Sequence, residues 1–132
     1  MQSSQKREAI KVLIVEDNKG VLDFWQRCFA EQPWPELGLQ FLWAATLGEA
    51  MNVFSSNQDV TLVVMDWYLK KPSGFTDTTL ELVQWMRKQG FTGPMIATSS
   101  DSEYQEVLKG AGCSHACDKG HLPEELRKVL GL

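Results

Sequence analysis

Acidic, hydroxyl and amine side chains follow a series of short apolar runs in this chain of 132 residues. Glu16 and Asp17 come directly after the run KVLIV, and Asp66 comes directly after VTLVVM. Three carboxylates at ~4–6 Å repel one another unless a cation lies between them, and an all-oxygen site with room for water suits Mg²⁺. Ser99 and Lys119 follow two later runs and add donors for an incoming anion. These residue types together predict phosphoryl transfer to an aspartate.

The side chains meet only if the apolar runs are strands of one sheet. Five such runs occur, at Lys11–Val15, Leu39–Ala45, Val60–Met65, Pro94–Thr98 and Ser114–Asp118. The first and third are almost continuously hydrophobic, which is typical of parallel strands covered on both faces. The fifth is more polar and is predicted to be a weak or edge strand. If the first and third strands are neighbours, all three carboxylates lie at one rim, where parallel sheets bind ligands.

Segments with helical period separate the runs, beginning with an apolar stripe at Val21, Leu22, Trp25, Cys28 and Phe29. Helix starts are predicted from three capping boxes and a first-turn proline, at Thr46-x-x-Glu49, Thr78-x-x-Glu81, Ser100-x-x-Glu103 and Pro123. Gly90 and Gly110 are predicted helix ends, and Gln32–Gly38 and Lys70–Thr79 are predicted surface elaborations. The alternation predicts a three-layer α/β fold, (βα)₅, with a doubly wound parallel sheet. Residues 1–9 are expected to be an N-terminal tail and 10–132 a single domain.

Composition narrows the functional classes. The net charge is −4, and no dense Lys/Arg cluster predicts direct nucleic-acid binding. No apolar run approaches the ~20 residues that span a bilayer, and the polar opening MQSSQKR is unlike a secretory signal. We therefore expect a cytoplasmic protein without membrane contact, whose three cysteines are reduced thiols.

The pattern resembles the receiver domains of response regulators in two-component signalling, over essentially the whole chain. Five motifs carry the resemblance: the acidic pair Glu16-Asp17, the phospho-acceptor position Asp66, Gly74 eight residues beyond it, Ser99 five residues after Pro94, and Gly112-Cys113 followed by Lys119. The resemblance implies a flavodoxin-like sheet with strand order 2-1-3-4-5. It also implies a phosphorelay switch that catalyses only its own phosphorylation and dephosphorylation, and is in that sense not an enzyme.

Roles for single residues follow from the resemblance. Asp66 would accept the phosphoryl group from a sensor histidine kinase, a phosphotransfer protein or a small donor. Mg²⁺ (or Mn²⁺) would be held by Glu16, Asp17, Asp66 and the backbone carbonyl of Tyr68. Lys119 would contact the phosphoryl group, and the hydroxyl of Ser99 would move with the fourth helix. The fourth helix, fifth strand and fifth helix would form the face that meets an output domain, a target protein or a second copy in a homodimer.

Several positions depart from the usual family pattern. Lys119 is followed by Gly120 where proline is common, so a cis Lys-Pro bond is impossible and the loop is expected to be freer. Ala116 stands where an aromatic switch residue is usual, with His115 beside it. Coupling through a ring on the fifth strand is therefore in question.

Two further positions are expected to modulate the lifetime of the phosphoryl group. Tyr68 and Asp101 lie two residues beyond Asp66 and Ser99, respectively. A bulky ring and an extra carboxylate there would alter water access and local charge. Lys70 replaces a common proline, and the loop after it is expected to be enlarged.

Other interpretations of the same residues remain open. A pseudo-receiver would keep the fold and signal without phosphate. A phosphatase of the haloacid-dehalogenase kind would need a second aspartate at Tyr68, and a flavodoxin-like electron carrier would not tolerate the acidic segment EDNKG beside a flavin phosphate. Asp17 or Asn18 would by itself be an ordinary helix cap.

The cysteine and histidine residues near the end of the chain raise the question of zinc. Cys113, His115, Cys117 and His121 have the spacing C-x-H-x-C-x₃-H, which fits no standard finger. The cysteines are better explained as small packing residues, and His115 as an ordinary strand residue. Among the tryptophans, Trp67 is expected outside the core as a reporter of metal binding, and Trp34 is a weaker candidate for partner contact.

Overall fold

The computed structural model describes residues 10–70 and 76–132. The predicted tail at residues 1–9 and the motif residue Gly74 lie outside the described residues. Five parallel strands form the main sheet, with the bounds Ile10–Val15 (β1), Leu39–Ala44 (β2), Val60–Asp66 (β3), Met95–Thr98 (β6) and His115–Cys117 (β7). Their order across the sheet is β2-β1-β3-β6-β7. Counted among the five predicted strands, this order is 2-1-3-4-5, and the flavodoxin-like fold prediction is confirmed.

Helices cover both faces of the sheet, which gives the molecule its three layers. Their bounds are Lys19–Ala30 (α1), Leu47–Ser56 (α2), Leu80–Lys88 (α3), Ser102–Ala111 (α4) and Leu122–Leu130 (α5). Alternate residues of the central strands enter opposite cores. Leu13, Val15, Val63 and Met65 pack with α2, α3 and α4, whereas Val12, Ile14, Leu62 and Val64 pack with α1 and α5. Burial on both faces explains the almost continuous hydrophobicity of these two strands.

Only one of the three predicted capping boxes starts a helix as expected. Thr46 caps α2, because its Oγ1 accepts the N–H of Glu49 at 3.0 Å. The prediction at Thr78 is wrong, because Thr78 ends the strand Thr76–Thr78 and Thr79 is the N-cap of α3. The prediction at Ser100 is also wrong, because Asp101 caps α4 by accepting the N–H of Glu103 at 2.8 Å.

Helix α4 runs through Gly110, so the predicted end there is wrong as well. Gly112 is its C-cap, with a φ of 142° that L side chains rarely adopt. Gly90 lies two residues beyond the end of α3 at a φ of 95°, close to its predicted role. The two glycines therefore indicated the region in which each helix ends, but not the exact residue at which it ends.

The two predicted elaborations take different forms. Tyr68–Lys70 (β4) and Thr76–Thr78 (β5) pair as a two-stranded antiparallel sheet beside the end of β3. The other segment makes a 3₁₀ turn at Trp34–Leu37. Trp34 is buried there and meets Phe29 edge-on at 4.9 Å, so it is a core residue and its interpretation as a partner contact is wrong. Within the described ranges, no helix has the length and apolarity needed to cross a membrane.

Candidate functional site

Three carboxylates converge at the rim formed by the carboxyl ends of β1 and β3. The parallel register pairs Val15 with Met65, which brings the residues that follow them side by side. One carboxylate oxygen from each of Glu16, Asp17 and Asp66 lies within 4.8 Å of the other two. Hard oxygen ligands at this spacing fit Mg²⁺ or Mn²⁺.

Glu16 is 1% exposed, and its two oxygens have different partners. Its Oε2 accepts the backbone N–H groups of Asp17 at 3.1 Å and Asn18 at 3.0 Å. Its Oε1 lies 2.9 Å from Lys119 Nζ. These contacts on both oxygens hold the buried side chain of Glu16 in one orientation at the floor of the site.

Asp66 is also buried, at 5% exposure, and lies at the end of β3. Its Oδ1 accepts the backbone N–H of Trp67 at 2.8 Å and lies 3.1 Å from Lys119 Nζ. Burial, reinforced by the negative charge of Glu16, raises the pKa of Asp66 to about 7 despite the nearby lysine. Lys119 therefore does not by itself offset the burial of Asp66 and the charge of Glu16, and a divalent cation would supply the further positive charge that these residues favour.

Lys119 begins a 3₁₀ turn after β7 and connects the two buried acids. Its side chain is half-buried, and burial by itself would lower the pKa of its amine. The hydrogen bond with Glu16 and the charge of Asp66 outweigh that effect and raise the pKa. Lys119 therefore carries a fixed positive charge beside the Asp66 carboxylate.

The small hairpin of β4 and β5 is attached to the same site. Asp17 Oδ2 accepts the backbone N–H of Lys70 at 2.5 Å. Thr79, fully buried at the start of α3, donates its hydroxyl to the backbone carbonyl of Asp66 and its N–H to the carbonyl of Trp67 at 3.0 Å. Sequence reasoning missed Thr79, since nothing in the sequence separates this threonine from Thr76 and Thr78.

Ser99 follows β6 and lines the cleft that contains Asp66 and Lys119. The hydroxyl Oγ accepts the N–H of Asp101 at 3.1 Å, and the carbonyl of Ser99 accepts a hydrogen bond from Gln105 Nε2 at 2.6 Å. Ser99 is thus linked directly to the cap and first turn of α4. Asp101, predicted only as a modulating residue, has a second role as that cap.

The cleft has a volume of ≈ 670 Å³ and is lined by positive as well as negative side chains. Lys19 and Lys70 lie along it in addition to Lys119. Lysines around a group of carboxylates attract an anionic substrate, which the acids alone would repel. The cleft is therefore suited to a phosphorylated ligand.

Three aromatic rings form one wall of this cleft. Trp67 stacks on Tyr104 of α4 with centroids 4.7 Å apart and an interplanar angle of 15°. Tyr68 meets Trp67 and Tyr104 edge-on, at 5.4 and 5.6 Å. Trp67 is only 9% exposed and packs in the core, so the expectation that it lies outside the core is wrong. Tyr104, which the sequence indicated only as a core residue, connects α4 to the residue after Asp66.

The remaining candidates lie on or near the edge strand β7. Ala116 and His115 are both half-buried, and His115 Nδ1 is 2.8 Å from the hydroxyl of Ser114. Neither lines the cleft in the described part of the chain. Within residues 10–70 and 76–132, the acids at the rim are the one group of three or more metal-ligand side chains, so the cysteines and histidines form no zinc site there.

The protein has matches among known proteins by structure but not by sequence. The sequence matches no protein-family model and none of the curated proteins. Solved structures match it closely in fold. The receiver domain of a Francisella response regulator is 24% identical, with a TM-score of 0.70 and coverage of 92% of this chain and 93% of that one.

Two further solved structures have the same fold. A putative response regulator from Chloroflexus aurantiacus is 17% identical, with a TM-score of 0.72 and coverage of 95% of this chain and 100% of that one. A CheY-like receiver domain protein from Methanospirillum hungatei is 20% identical, with a TM-score of 0.70 and coverage of 94% and 95%. The chain therefore has the fold of the response-regulator receiver domains.

Proposed function

We propose that this protein is a phosphorylation-dependent switch of a two-component phosphorelay, which accepts a phosphoryl group on Asp66. The observation that carries the proposal is the meeting of three carboxylates and one amine at the rim of a receiver fold, with Lys119 Nζ 3.1 Å from Asp66 Oδ1. Positioning and charge compensation are the main requirements of phosphoryl transfer, and this arrangement supplies both.

The side chains divide the chemistry between them. An oxygen of Asp66 attacks phosphorus, so the bond from phosphorus to the histidine nitrogen of the donor breaks as the new oxygen–phosphorus bond forms. Glu16, Asp17, Asp66 and the carbonyl of Tyr68 would hold Mg²⁺ or Mn²⁺, which neutralises charge on the transferred group when bound. Lys119 pairs with a phosphoryl oxygen. Hydrolysis of the aspartyl phosphate returns the free carboxylate and inorganic phosphate.

The expected change of shape begins with the contacts of Ser99. A phosphoryl group adds nearly two negative charges and three acceptor oxygens beside Asp66. We expect the Ser99 hydroxyl to leave the N–H of Asp101 and to donate to the phosphoryl group, which pulls on the loop joined to α4 through Gln105. Tyr68 and Asp101 would then modulate hydrolysis of the aspartyl phosphate. Ala116 stands on β7 at the position where receiver domains usually have an aromatic switch residue, and His115 lies beside it on the same edge strand.

Partners follow from this role. The donor would be a sensor histidine kinase or a phosphotransfer protein in the cytoplasm, and the output would be a linked domain, a target protein or a homodimer. The face made by α4, β7 and α5 is the expected contact surface. Neither nucleic acid nor a membrane is expected to bind the chain directly.

The test is phosphorylation of the purified protein by acetyl phosphate with Mg²⁺, followed by intact mass measurement. We expect the mass to rise by one phosphoryl group, and the rise to be absent in Asp66→Asn and without Mg²⁺. Asp59→Asn is the matched control, because Asp59 is 65% exposed and pairs with Lys11 outside the cleft. A protein that neither gains mass nor binds beryllofluoride with Mg²⁺ would instead be a pseudo-receiver, a role that the alanine at residue 116 favours.

A further inference from the structure

A tryptophan in the core is hydrogen-bonded to the backbone of the site's lysine. Trp25 belongs to α1 and is 0% exposed. Its indole Nε1 donates to the backbone carbonyl of Lys119 at 2.8 Å, across 94 residues of sequence. Trp25 packs in the core that also contains Leu122 and Leu126 of α5. The indole is therefore a rigid donor at a fixed place.

The turn that begins at Lys119 lies between Cys117 of the edge strand β7 and Leu122, which is fully buried at the start of α5. Gly120, which follows it, is exposed and has no Cβ. Asp118 caps the turn locally, since its Oδ1 accepts the N–H of His121 at 3.0 Å and lies 2.6 Å from His121 Nδ1. These contacts are within the turn and move with it. The bond from Trp25 holds the carbonyl of Lys119 itself to the core, between the attachments of Cys117 to the sheet and of Leu122 to the core.

The position of the amine depends on this attachment. Lys119 Nζ lies 2.9 Å from Glu16 Oε1 and 3.1 Å from Asp66 Oδ1, at the end of a flexible side chain. Side-chain torsions place the amine relative to the Cα atom, and the bond from Trp25 to the carbonyl restrains where that Cα atom lies. A displacement of the turn of about 1 Å is enough to weaken contacts that require exact placement of charge.

We propose that Trp25 is a positioning residue, whose indole N–H holds the backbone of Lys119 so that the lysine amine meets the phosphoryl group on Asp66. This inference rests on the proposed function of Lys119 and adds to it a residue that lies outside the cleft. It also accounts for how the turn is fixed in a chain with glycine at residue 120, where a Lys-Pro bond cannot form.

The test separates binding of the metal from binding of the phosphoryl group. Mg²⁺ affinity is measured by calorimetry, and beryllofluoride affinity is then measured at saturating Mg²⁺. For Trp25→Phe, which keeps a ring and removes the N–H, we expect beryllofluoride binding to weaken about threefold to tenfold, the value of one hydrogen bond. We expect Mg²⁺ affinity to change less than beryllofluoride affinity, because the substitution removes none of the three acids that would hold the metal.

Trp34→Phe is the matched control, since Trp34 is a buried tryptophan of the same core that contacts Phe29 and does not line the cleft. The control is expected to lose comparable stability in urea and to keep its beryllofluoride affinity within about twofold. If Trp25→Phe does not fold, benzothienylalanine at residue 25, which replaces the N–H with sulfur and keeps the shape, takes its place.

The outcomes are distinguishable. Equal beryllofluoride affinity in the wild type and the Trp25 variant overturns the positioning role. Equal weakening in the Trp25 and Trp34 variants assigns the effect to loss of core packing and overturns it too. Failure of the wild type itself to bind beryllofluoride with Mg²⁺ overturns the proposed function, and with it this inference.

Discussion

The two buried acids of the cleft are stabilised to different extents. Glu16 accepts two backbone N–H groups through one oxygen and meets Lys119 with the other. Asp66 accepts one backbone N–H and shares the same lysine. Burial, followed by the charge of Glu16, raises the pKa of Asp66 to about 7, so the metal-free folded protein binds a proton that the unfolded chain releases near its ordinary pKa of 3.8.

This difference predicts how Asp66→Asn changes stability with pH. A raised pKa means that the folded state loses stability from Asp66 as pH rises from the unfolded value through about 7. The amide keeps an oxygen that accepts the N–H of Trp67 and carries no charge. Without metal, we expect the variant to be about 1–3 kcal/mol more stable to urea than the wild type at about pH 8, with little difference at about pH 4.

Mg²⁺ and a surface aspartate provide the controls for that experiment. Added Mg²⁺ should stabilise the wild type more than the variant, because the ligand set is complete only with the carboxylate. Asp59→Asn should show no gain at high pH, since the hydrogen bond from Lys11 lowers the pKa of Asp59. An advantage of Asp66→Asn that does not depend on pH would contradict the assigned cause.

At the scale of elements, one arginine of α3 joins three segments. Arg87 donates from Nε and one terminal nitrogen to the carbonyl of Gly112, at 2.9 and 2.7 Å. Its other terminal nitrogen donates to the carbonyls of Phe91 and Gly93, at 2.9 and 2.8 Å. The planar guanidinium thus satisfies carbonyls at the end of α4 and in the turn before β6, which a lysine could not do together.

Arg87→Ala is therefore expected to be strongly destabilising. Three backbone carbonyls lose a donor, and we expect a loss of about 2–4 kcal/mol in the free energy of unfolding, measured by urea titration. Arg87→Lys should recover only part of it. Lys88→Ala, at the exposed neighbouring position, should change stability by less than about 0.5 kcal/mol. A loss of the same size at both positions would mean that removal of a positive charge from the last turn of α3, and not the carbonyl contacts, is responsible.

Elements near the site also show where local patterns are misleading. The capping box at Thr46 was predictable because the box and the helix start coincide. The box at Thr78 failed because Thr79 offers a second hydroxyl one residue later, and the box at Ser100 failed because the neighbouring Asp101 is the cap. Thr78 pairs with Tyr68 in the hairpin, which leaves Thr79 to start α3.

At the scale of the whole molecule, the sheet divides the interior into two cores, each of which contains a thiol. Cys113 packs with α3 and α4, and Cys117 packs on the opposite side with α1 and α5. Burial raises the pKa of each thiol to about 12. Because the thiolate is the reactive form, both cysteines should be slow to react while the protein is folded.

Labelling of these two thiols tests whether the cores open together. For cooperative unfolding, we expect the alkylation rates of Cys113 and Cys117, followed by peptide mass measurement, to rise with urea along the same slope. Saturating Mg²⁺ should slow both rates by the same factor, because it stabilises the folded state as a whole. Different slopes for the two residues would show that one layer of helices separates before the other.

Local residue patterns were enough to predict the layers of the fold and the placement of the acids. The continuous apolar runs of β1 and β3 require cover on both faces, and parallel strands bring the residues after them to one rim, so Glu16, Asp17 and Asp66 were predictable as neighbours. Such patterns are local, since each depends on a few consecutive residues.

The contacts that hold this site in place are visible only in the folded protein. The bond from Trp25 to Lys119, the ring of Tyr104 against Trp67 and the carbonyl contacts of Arg87 join residues far apart in the chain. Each contact depends on the register of the strands and on the packing angle of a helix. Many different residues are compatible with the same register and angle, so the sequence does not reveal the contact. A buried tryptophan gives the same hydrophobic signal in a sequence whether or not its N–H holds a functional turn.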